Sequence, residues 1–416
     1  MRILWIGHNL GYPPKGGALQ RNYNLLREIA KSHELHLLAF DQPATRPPDI
    51  TPQHCVRALR PLCSSVDWVP LARDISPKDR YWLALRGLAS DDPFEFHWLQ
   101  SQSIEEKLRK LLSRLAFDVV HFDTLGLAQY RHLVTNSATV LNHHDVQSSL
   151  ISRRASIESN PLLRLYWKLE AKKLRKAEQK WCPRFEVNLA VSKEDEQLLL
   201  DAGSQMESRV VPNGVDTDYF TPRPDPGRGT LLFCGSLDMY PNRDAMSYFF
   251  DAIWPRLNSR VGNVEVYVVG RKPPRWLTQL STRDQRIHVP GFVDDVRPYF
   301  RKATAFVCPI RDGGGTRLKI LDSLAMGVPV IGTSFASSGL CLQHQKHLLL
   351  ADTPDDFVRS IEQTLSNPAL RENLSTAGVE LVNRVYSWNV IGQSLLDAYD
   401  AAKRAHVAAS TTKIRT

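Results

Sequence analysis

The chain lacks the features that mark a membrane span, a secreted disulfide scaffold or a zinc module. No run approaches the roughly 18 consecutive apolar residues of a membrane-spanning helix. After Met1 and Arg2 only Ile3 to Ile6 precede Gly7 and His8, too short for the apolar stretch of a secretory signal. Six cysteines (Cys55, Cys63, Cys182, Cys234, Cys308 and Cys341) are scattered. None forms a CxxC or a Cys/His set with metal-ligand spacing. Cys234 and Cys308 sit inside apolar runs and read as small core residues. A reduced, cytoplasmic location is expected. There is no GxGxxG after the first apolar run, which removes most support for a dinucleotide site. Basic residues are spread along the chain without a recognition motif, which argues against nucleic acid as a partner.

What is present is an ordinary globular composition, 43% hydrophobic and 23% charged, over 416 residues. That length predicts two domains of roughly 200 residues each. The net charge of +9 points to an acidic partner, such as a phosphorylated substrate or an anionic membrane surface, or else to a solvated basic face.

Apolar runs of buried-strand type alternate with helical periodicity from the start. RILWIG (Arg2 to Gly7) leads into the Gly/Pro loop GHNLGYPPKGG, a helix from about Ala18 to Ser32, and the strand HELHLLAF. This is the opening of a doubly wound α/β domain. The pattern loosens over residues 41–100, where short strands are expected around Val56 to Leu59 and Val66 to Leu71. The stretch from Arg80 to Trp98 can place Tyr81, Trp82, Leu85 and Leu88 on one helical face edged by Arg80 and Arg86. That face could rest on a membrane, meet an acceptor, or pack on its own domain. Alternation resumes with a helix at Gln102 to Leu115, the strands DVVHFD and ATVLNHHD, a basic helix over residues 161–180, and the strand EVNLAVS. The phrase TPRPDPGRG (Thr221 to Gly229) is strong punctuation, and beyond it the alternation restarts with LLFCGS, VEVYVVG and HVPGFV. The domains are drawn as 1–215 and 216–387, followed by a helix at 388–405 expected to cross back onto the N-terminal domain and a frayed tail at 406–416.

The densest stretch is AFVCPIRDGGGTRLKILDSLAMGVPVIGT (Ala305 to Thr333). It reads as strand, glycine turn, amphipathic helix and strand. Bare backbone at Gly313, Gly314 and Gly315 can turn sharply and approach a ligand. The helix that follows offers free N–H groups and the positive end of its dipole to a phosphate. Arg317 and Lys319 add charge, and Asp322 can accept from sugar hydroxyls. The same pattern could also be a plain crossover with a tight turn.

Taken in order, VPNGVD (Val211 to Asp216), Gly235-Ser236, PGFVDDV (Pro290 to Val296) and KILDSLAMGVPVIGT resemble the family 4 glycosyltransferases. So do the Gly16-Gly17 loop, His144-Asp145 and VSKEDEQLL (Val191 to Leu199). The resemblance covers nearly the whole chain, more weakly over residues 41–116 and 146–185. It implies an α/β GT-B fold of two Rossmann-like doubly wound domains facing a central cleft. It further implies a nucleotide-diphosphate sugar as co-substrate, transfer with retention, and no bound metal or other cofactor. The run GGGTRLKILDSLAMG is similar to bacterial transferases that build exopolysaccharide or other surface glycans. The acceptor is then a growing glycan or a polyprenyl-linked saccharide, handled by a cytoplasmic enzyme on the inner face of an anionic membrane. Oligomeric state is left open.

By the same resemblance, Gly16 and Gly17 lie against the donor phosphates. His144 is the active-site histidine, with strand alternation separating it from His143. Gly235 and Ser236 contact the diphosphate, and Gly314, Gly315, Thr316 and Arg317 form the donor-binding loop, with Thr316 and Arg317 contributing backbone N–H groups. Two departures stand out. Relatives carry an arginine after the glycine at 235 and a lysine soon after, where this chain has Ser236 and Asn242-Arg243; Arg243, Arg317 or Lys319 is expected to replace that charge. Relatives also carry two glutamates where this chain has Gly314 and Asp322. These departures keep two alternatives open: a non-catalytic nucleotide-sugar-binding or scaffold protein, and a nucleotide-sugar 2-epimerase.

Overall fold

The computed structural model describes residues 1–14, 16–43, 47, 50–71, 82–84, 87–201, 206–222, 224–225, 229–262, 264–314 and 316–415. The chain divides into two compact units, Met1–Pro212 together with Ile391–Thr416, and Asn213–Val390.

The first unit is built on seven parallel strands: β1 (Arg2–Gly7), β2 (Glu34–Asp41), β3 (Ser65–Pro70), β4 (Val119–Phe122), β5 (Ala138–Asn142), β6 (Val187–Ala190) and β7 (Ser208–Val210). Their order is β3-β2-β1-β4-β5-β6-β7. β1 and β4 to β6 are buried along nearly their whole length because helices cover both faces of a parallel sheet. Leu4, Ile6, Val120, Phe122 and Leu141 are completely buried in one core cluster.

The second unit repeats the plan with β8 (Thr230–Cys234), β9 (Glu265–Val269), β10 (Ile287–Gly291), β11 (Ala305–Cys308), β12 (Val330–Gly332) and β13 (Leu349–Leu350). The order is β10-β9-β8-β11-β12-β13. In both sheets the strand order reverses between the first strand and its fourth, and ligands of such sheets bind beyond the carboxyl ends of the strands at that reversal. The segments in question are Gly7-His8 and Asp123 in the first unit, and Gly235-Ser236 and Ile310–Gly314 in the second.

Four helices matter below: α1 (Gly17–Ala30), α2 (Pro161–Trp181), α3 (Leu318–Ala325) and α4 (Trp388–Arg415). α2 starts on Asn160, whose side chain accepts from the N–H groups of Leu162 and Leu163, with Pro161 in the first turn.

Several expectations are corrected. Val56 to Leu59 is not a strand but the end of a helix, Pro52–Leu59, capped by Thr51 in a reciprocal box with His54. Its Cys55 and Leu59, one turn apart, are the buried pair. The step between units falls at Pro212/Asn213, ahead of the proline-rich stretch, because Val215 N–H donates to the Tyr386 carbonyl (2.8 Å) and bridges Ser387. The final helix does not fray at residue 406. It continues to Arg415, held to the first sheet by Lys403 on Asp118 (2.9 Å) and His406 on Glu186 (3.1 Å). Tyr399 completes that anchorage, its hydroxyl 3.0 Å from His121 Nδ1. Of the aromatic stretch, Arg80, Tyr81, Leu85 and Arg86 lie outside the described residues; Trp82 and Leu88 are exposed.

Candidate functional site

In the first unit, three buried strands lead into ionisable groups that meet. His8 follows β1 and Asp123 follows β4, and His144 stands just beyond β5. His8 Nδ1–H donates to Asp123 Oδ2 (2.7 Å) and His144 Nε2–H to Oδ1 (3.1 Å). Asn22 from α1 and Asn142 from β5 donate to the same two oxygens, so four N–H groups surround this carboxylate. Burial alone would raise the Asp123 pKa, but His144 and His8 outweigh it and hold the group well below the usual carboxylate range. Burial lowers the His144 pKa despite Asp123, so its ring is neutral near pH 7, with Nδ1 as the lone-pair nitrogen. For His8, burial is offset by the Asp123 charge and hydrogen bond, and the pKa rises. Gly11 N–H donates to Asn9 Oδ1 (2.8 Å), which turns Asn9 Nδ2 toward His8 Nε2 (2.8 Å).

Two histidines and a carboxylate within 4.8 Å of one another are a donor set that a transition metal takes. Here each Asp123 oxygen is already engaged by two N–H donors, so an ion would have to displace part of that network. His143 points elsewhere. It is buried near Asn188 and Cys182, and burial pushes its pKa down to about 4. Gly16 and Gly17 open α1 and are exposed, and a Cβ on either would meet nothing within 4 Å, which leaves room for a ligand. Gly16 has φ +114°, the region that favours glycine.

The second unit places Gly235 where backbone and cation come together. A Cβ on Gly235 would stand 2.6 Å from Lys319 Nζ, and one on Gly270 would stand 1.8 Å from the Gly235 carbonyl oxygen. At Gly270 only glycine permits this approach to backbone, and at Gly235 a side chain would push the Lys319 ammonium aside. Lys319, in the first turn of α3, donates to Asn242 Oδ1 and lies over the Phe233 ring at 4.7 Å. Burial, with Arg317 adding repulsion, brings its pKa down to about 8. Thr316 and Arg317 precede α3; Asn213 donates to Thr316 Oγ1 (2.6 Å) and Arg317 to the Gly314 carbonyl. Gly313 sits at φ +122° against Pro241. Gly315 lies outside the described residues.

Asp322, one turn along from Lys319, is half-buried. Its Oδ1 is shut off from solvent with no hydrogen-bond partner among the described residues. Burial, only partly opposed by Lys319, raises its pKa to about 7. An unsatisfied buried carboxylate oxygen is costly, and a hydroxyl donor would relieve it.

A model described as Glycosyltransferase Family 4 matches residues 15–219, and one described as Glycosyl transferases group 1 matches residues 228–367. The chain belongs to the family 4 glycosyltransferases. A GDP-mannose-dependent alpha-(1-6)-phosphatidylinositol monomannoside mannosyltransferase from Mycobacterium tuberculosis is 25% identical over 226 residues, covering 47% of this chain and 56% of that protein. The match therefore spans little more than half the length of that relative. Sucrose-phosphate synthase from Thermosynechococcus elongatus superposes with a TM-score of 0.71 at 14% identity, covering 96% and 98% of the two chains. Anabaena HepE in complex with UDP superposes with a TM-score of 0.67 at 13% identity, covering 96% and 100%. At these identities the likeness is one of fold, and the fold is GT-B.

Against that glycosyltransferase frame, Arg243 is exposed and takes no part in the Lys319 cluster; its neighbour Asn242 is the residue that turns in. The reason is helical phase, since adjacent residues of the helix Tyr240–Tyr248 point about 100° apart. Two cations reach this end of the sheet from the segment that follows β9. Arg271 Nε donates to Ser236 Oγ (2.5 Å), and both Arg271 and Lys272 approach Asp238 (3.4 and 3.7 Å). These two cations, like His8 and Asp123, escaped sequence reasoning. The available signal was position: each directly follows, or nearly follows, the carboxyl end of a buried parallel strand.

Proposed function

We propose that the chain transfers a sugar from a nucleotide-diphosphate sugar to a growing glycan or lipid-linked saccharide, with retention of anomeric configuration. The observation that carries this reading is the cradle on the second unit. Gly235, Lys319 with Asn242, and the start of α3 stand ready for a diphosphate, and Asp322 Oδ1 is buried without a partner where a ribose hydroxyl can donate. In the transfer, the bond from the anomeric carbon to the diphosphate oxygen breaks and the nucleoside diphosphate leaves. The acceptor oxygen bonds to that carbon on the same face, and a phosphate oxygen takes its proton. Lys319, Arg317 and Arg271 stabilise the charge developing on the leaving group, without a metal. Neutral His144, held by Asp123, positions the sugar hydroxyls.

The setting we propose is the cytoplasmic face of an anionic membrane, in surface-glycan synthesis. No helix among the described residues is long and apolar enough to cross a membrane. α2 nevertheless exposes Leu162, Leu165 and Leu169 with Arg164, Lys168 and Lys172 nearby, a pattern suited to an anionic lipid surface. The test is a thermal-shift panel of UDP, GDP, ADP, CMP and their sugar conjugates. A rise in melting temperature with one nucleoside diphosphate is expected, and a flat response to all of them would sink the reading.

A further inference from the structure

The first unit holds a cavity of about 600 Å³, a volume typical of small-molecule sites. His8 and His144 form part of its wall, and Phe94, Trp98, Tyr166 and Trp167 give it aromatic surface. Glu95, Asp145 and Glu170 are its carboxylates, and none of its described wall residues is a lysine or arginine, although the chain carries 53 of them against 44 acidic residues. Aromatic faces together with carboxylates suit a pyranose, whose C–H edges pack on rings and whose hydroxyls donate to carboxylates. The same walls repel an anionic sugar.

The wall carries its own sign of being incomplete. Glu95 Oε1 accepts from Thr124 Oγ1 (2.6 Å), while Glu95 Oε2, Trp98 Nε1 and Trp167 Nε1 are buried without a partner among the described residues. Native proteins leave few such atoms, and hydroxyls can serve both kinds, donating to the carboxylate and accepting from the indoles.

α2 adds a second feature. Trp167, Glu170 and Leu174 line the cavity at spacings of three and four, and Leu163, one turn earlier on the same face, is 46% exposed. The cavity face of the helix therefore runs on into an apolar surface, extended by Leu162 at 78% exposure.

We propose that this cavity binds a neutral sugar residue bearing an apolar group, with the sugar against Trp98, Trp167, Glu95 and Glu170 and the apolar group over Leu163. Naming that sugar as the acceptor rests on the transferase reading; the binding itself does not.

The experiment is calorimetric titration of the full chain, without nucleotide, using methyl and octyl gluco-, galacto- and mannopyranosides below their micelle concentrations, with methyl glucuronide as the anionic control. At least one octyl glycoside is expected to bind about tenfold or more tighter than its methyl counterpart, with the glucuronide not binding. Glu95→Gln, which keeps an acceptor for Thr124, should weaken both glycosides about tenfold. Leu163→Ser changes a half-exposed side chain, so the fold is retained, and it should erase the octyl advantage while leaving methyl-glycoside affinity unchanged. The proposal is overturned if no glycoside binds, if the glucuronide binds as well as the neutral sugars, or if Leu163→Ser leaves the octyl advantage intact. A nucleotide-induced thermal shift with no glycoside binding would sink this proposal and spare the transferase reading.

Discussion

Two carboxylates, the fully buried Asp123 of the first unit and the half-buried Asp322 of the second, are treated in opposite ways. Asp123 receives four N–H donors before any ligand arrives. Asp322 has an oxygen shut off from solvent with no donor among the described residues. The contrast separates a group fixed as part of the scaffold from one that a ligand completes. A satisfied buried network rigidifies the site it supports, whereas an unsatisfied group stores a penalty that a ligand's donor can relieve. The first unit thus presents a preset histidine, and the second a cradle whose electrostatics, on the proposed function, a nucleotide would finish.

Breaking the satisfied network should produce the largest effect, and it should fall on the fold. Asp123→Ala leaves two histidines and two asparagines without their shared acceptor and should destabilise the protein by about 3–5 kcal/mol, read as a lower denaturation midpoint. A midpoint within error of the parent would end the claim that Asp123 is scaffold. Next is Lys319→Met, which removes a half-buried ammonium and should leave the melting temperature unchanged or higher. Its nucleoside-diphosphate affinity or turnover should fall about 100-fold, about 2.7 kcal/mol. A stability loss with normal binding would reverse the two roles.

The third prediction concerns pH. Asp322 has a folded pKa raised to about 7 from an ordinary 3.8. Its contribution to stability is complete below about pH 4 and is lost as pH rises through 7. Nucleotide hydroxyls favour the ionised form, so affinity should increase from pH 6 to pH 8, with proton release on binding. Lys319, with its pKa brought down to about 8, loses charge toward the top of that range and opposes the rise. Asp322→Asn should therefore bind about tenfold more weakly at pH 8 and show no rise with pH; a rise unchanged in the variant would exclude Asp322 as its source. The smallest effect is expected at Gly17→Ala. A Cβ there meets nothing within 4 Å, so stability should change by less than about 0.5 kcal/mol. Donor affinity should drop nonetheless if phosphate packs against that backbone, and titration with the nucleotide sugar reads it.

Much of this protein was legible in order along the chain. Apolar strands such as RILWIG and AFVC declare themselves because both faces of a parallel strand are covered, and the glycine turn before α3 declares itself because few other residues make it. The helix at Pro52–Leu59 was harder to see, since the three apolar residues among Val56 to Leu59 fit either period and the Thr51–His54 cap decided the matter locally. The extension of α4 past residue 406 depended on Glu186, 220 positions away in sequence, receiving His406.

The site divides along the same line. Lys319, Asp322 and His144 were legible as candidates in the sequence because each lies inside a recognisable local phrase. Arg271 reaching Ser236, Asn242 rather than Arg243 meeting Lys319, and Asp123 joining His8 to His144 could not. These contacts join the ends of strands that are neighbours in a sheet but distant in the chain, or hinge on the phase of a single helical turn. The sequence by itself determined the strands, the glycine turns and the family. Tertiary structure alone decided which charges share a site, because parallel-sheet order, and not sequence order, brings strand ends together.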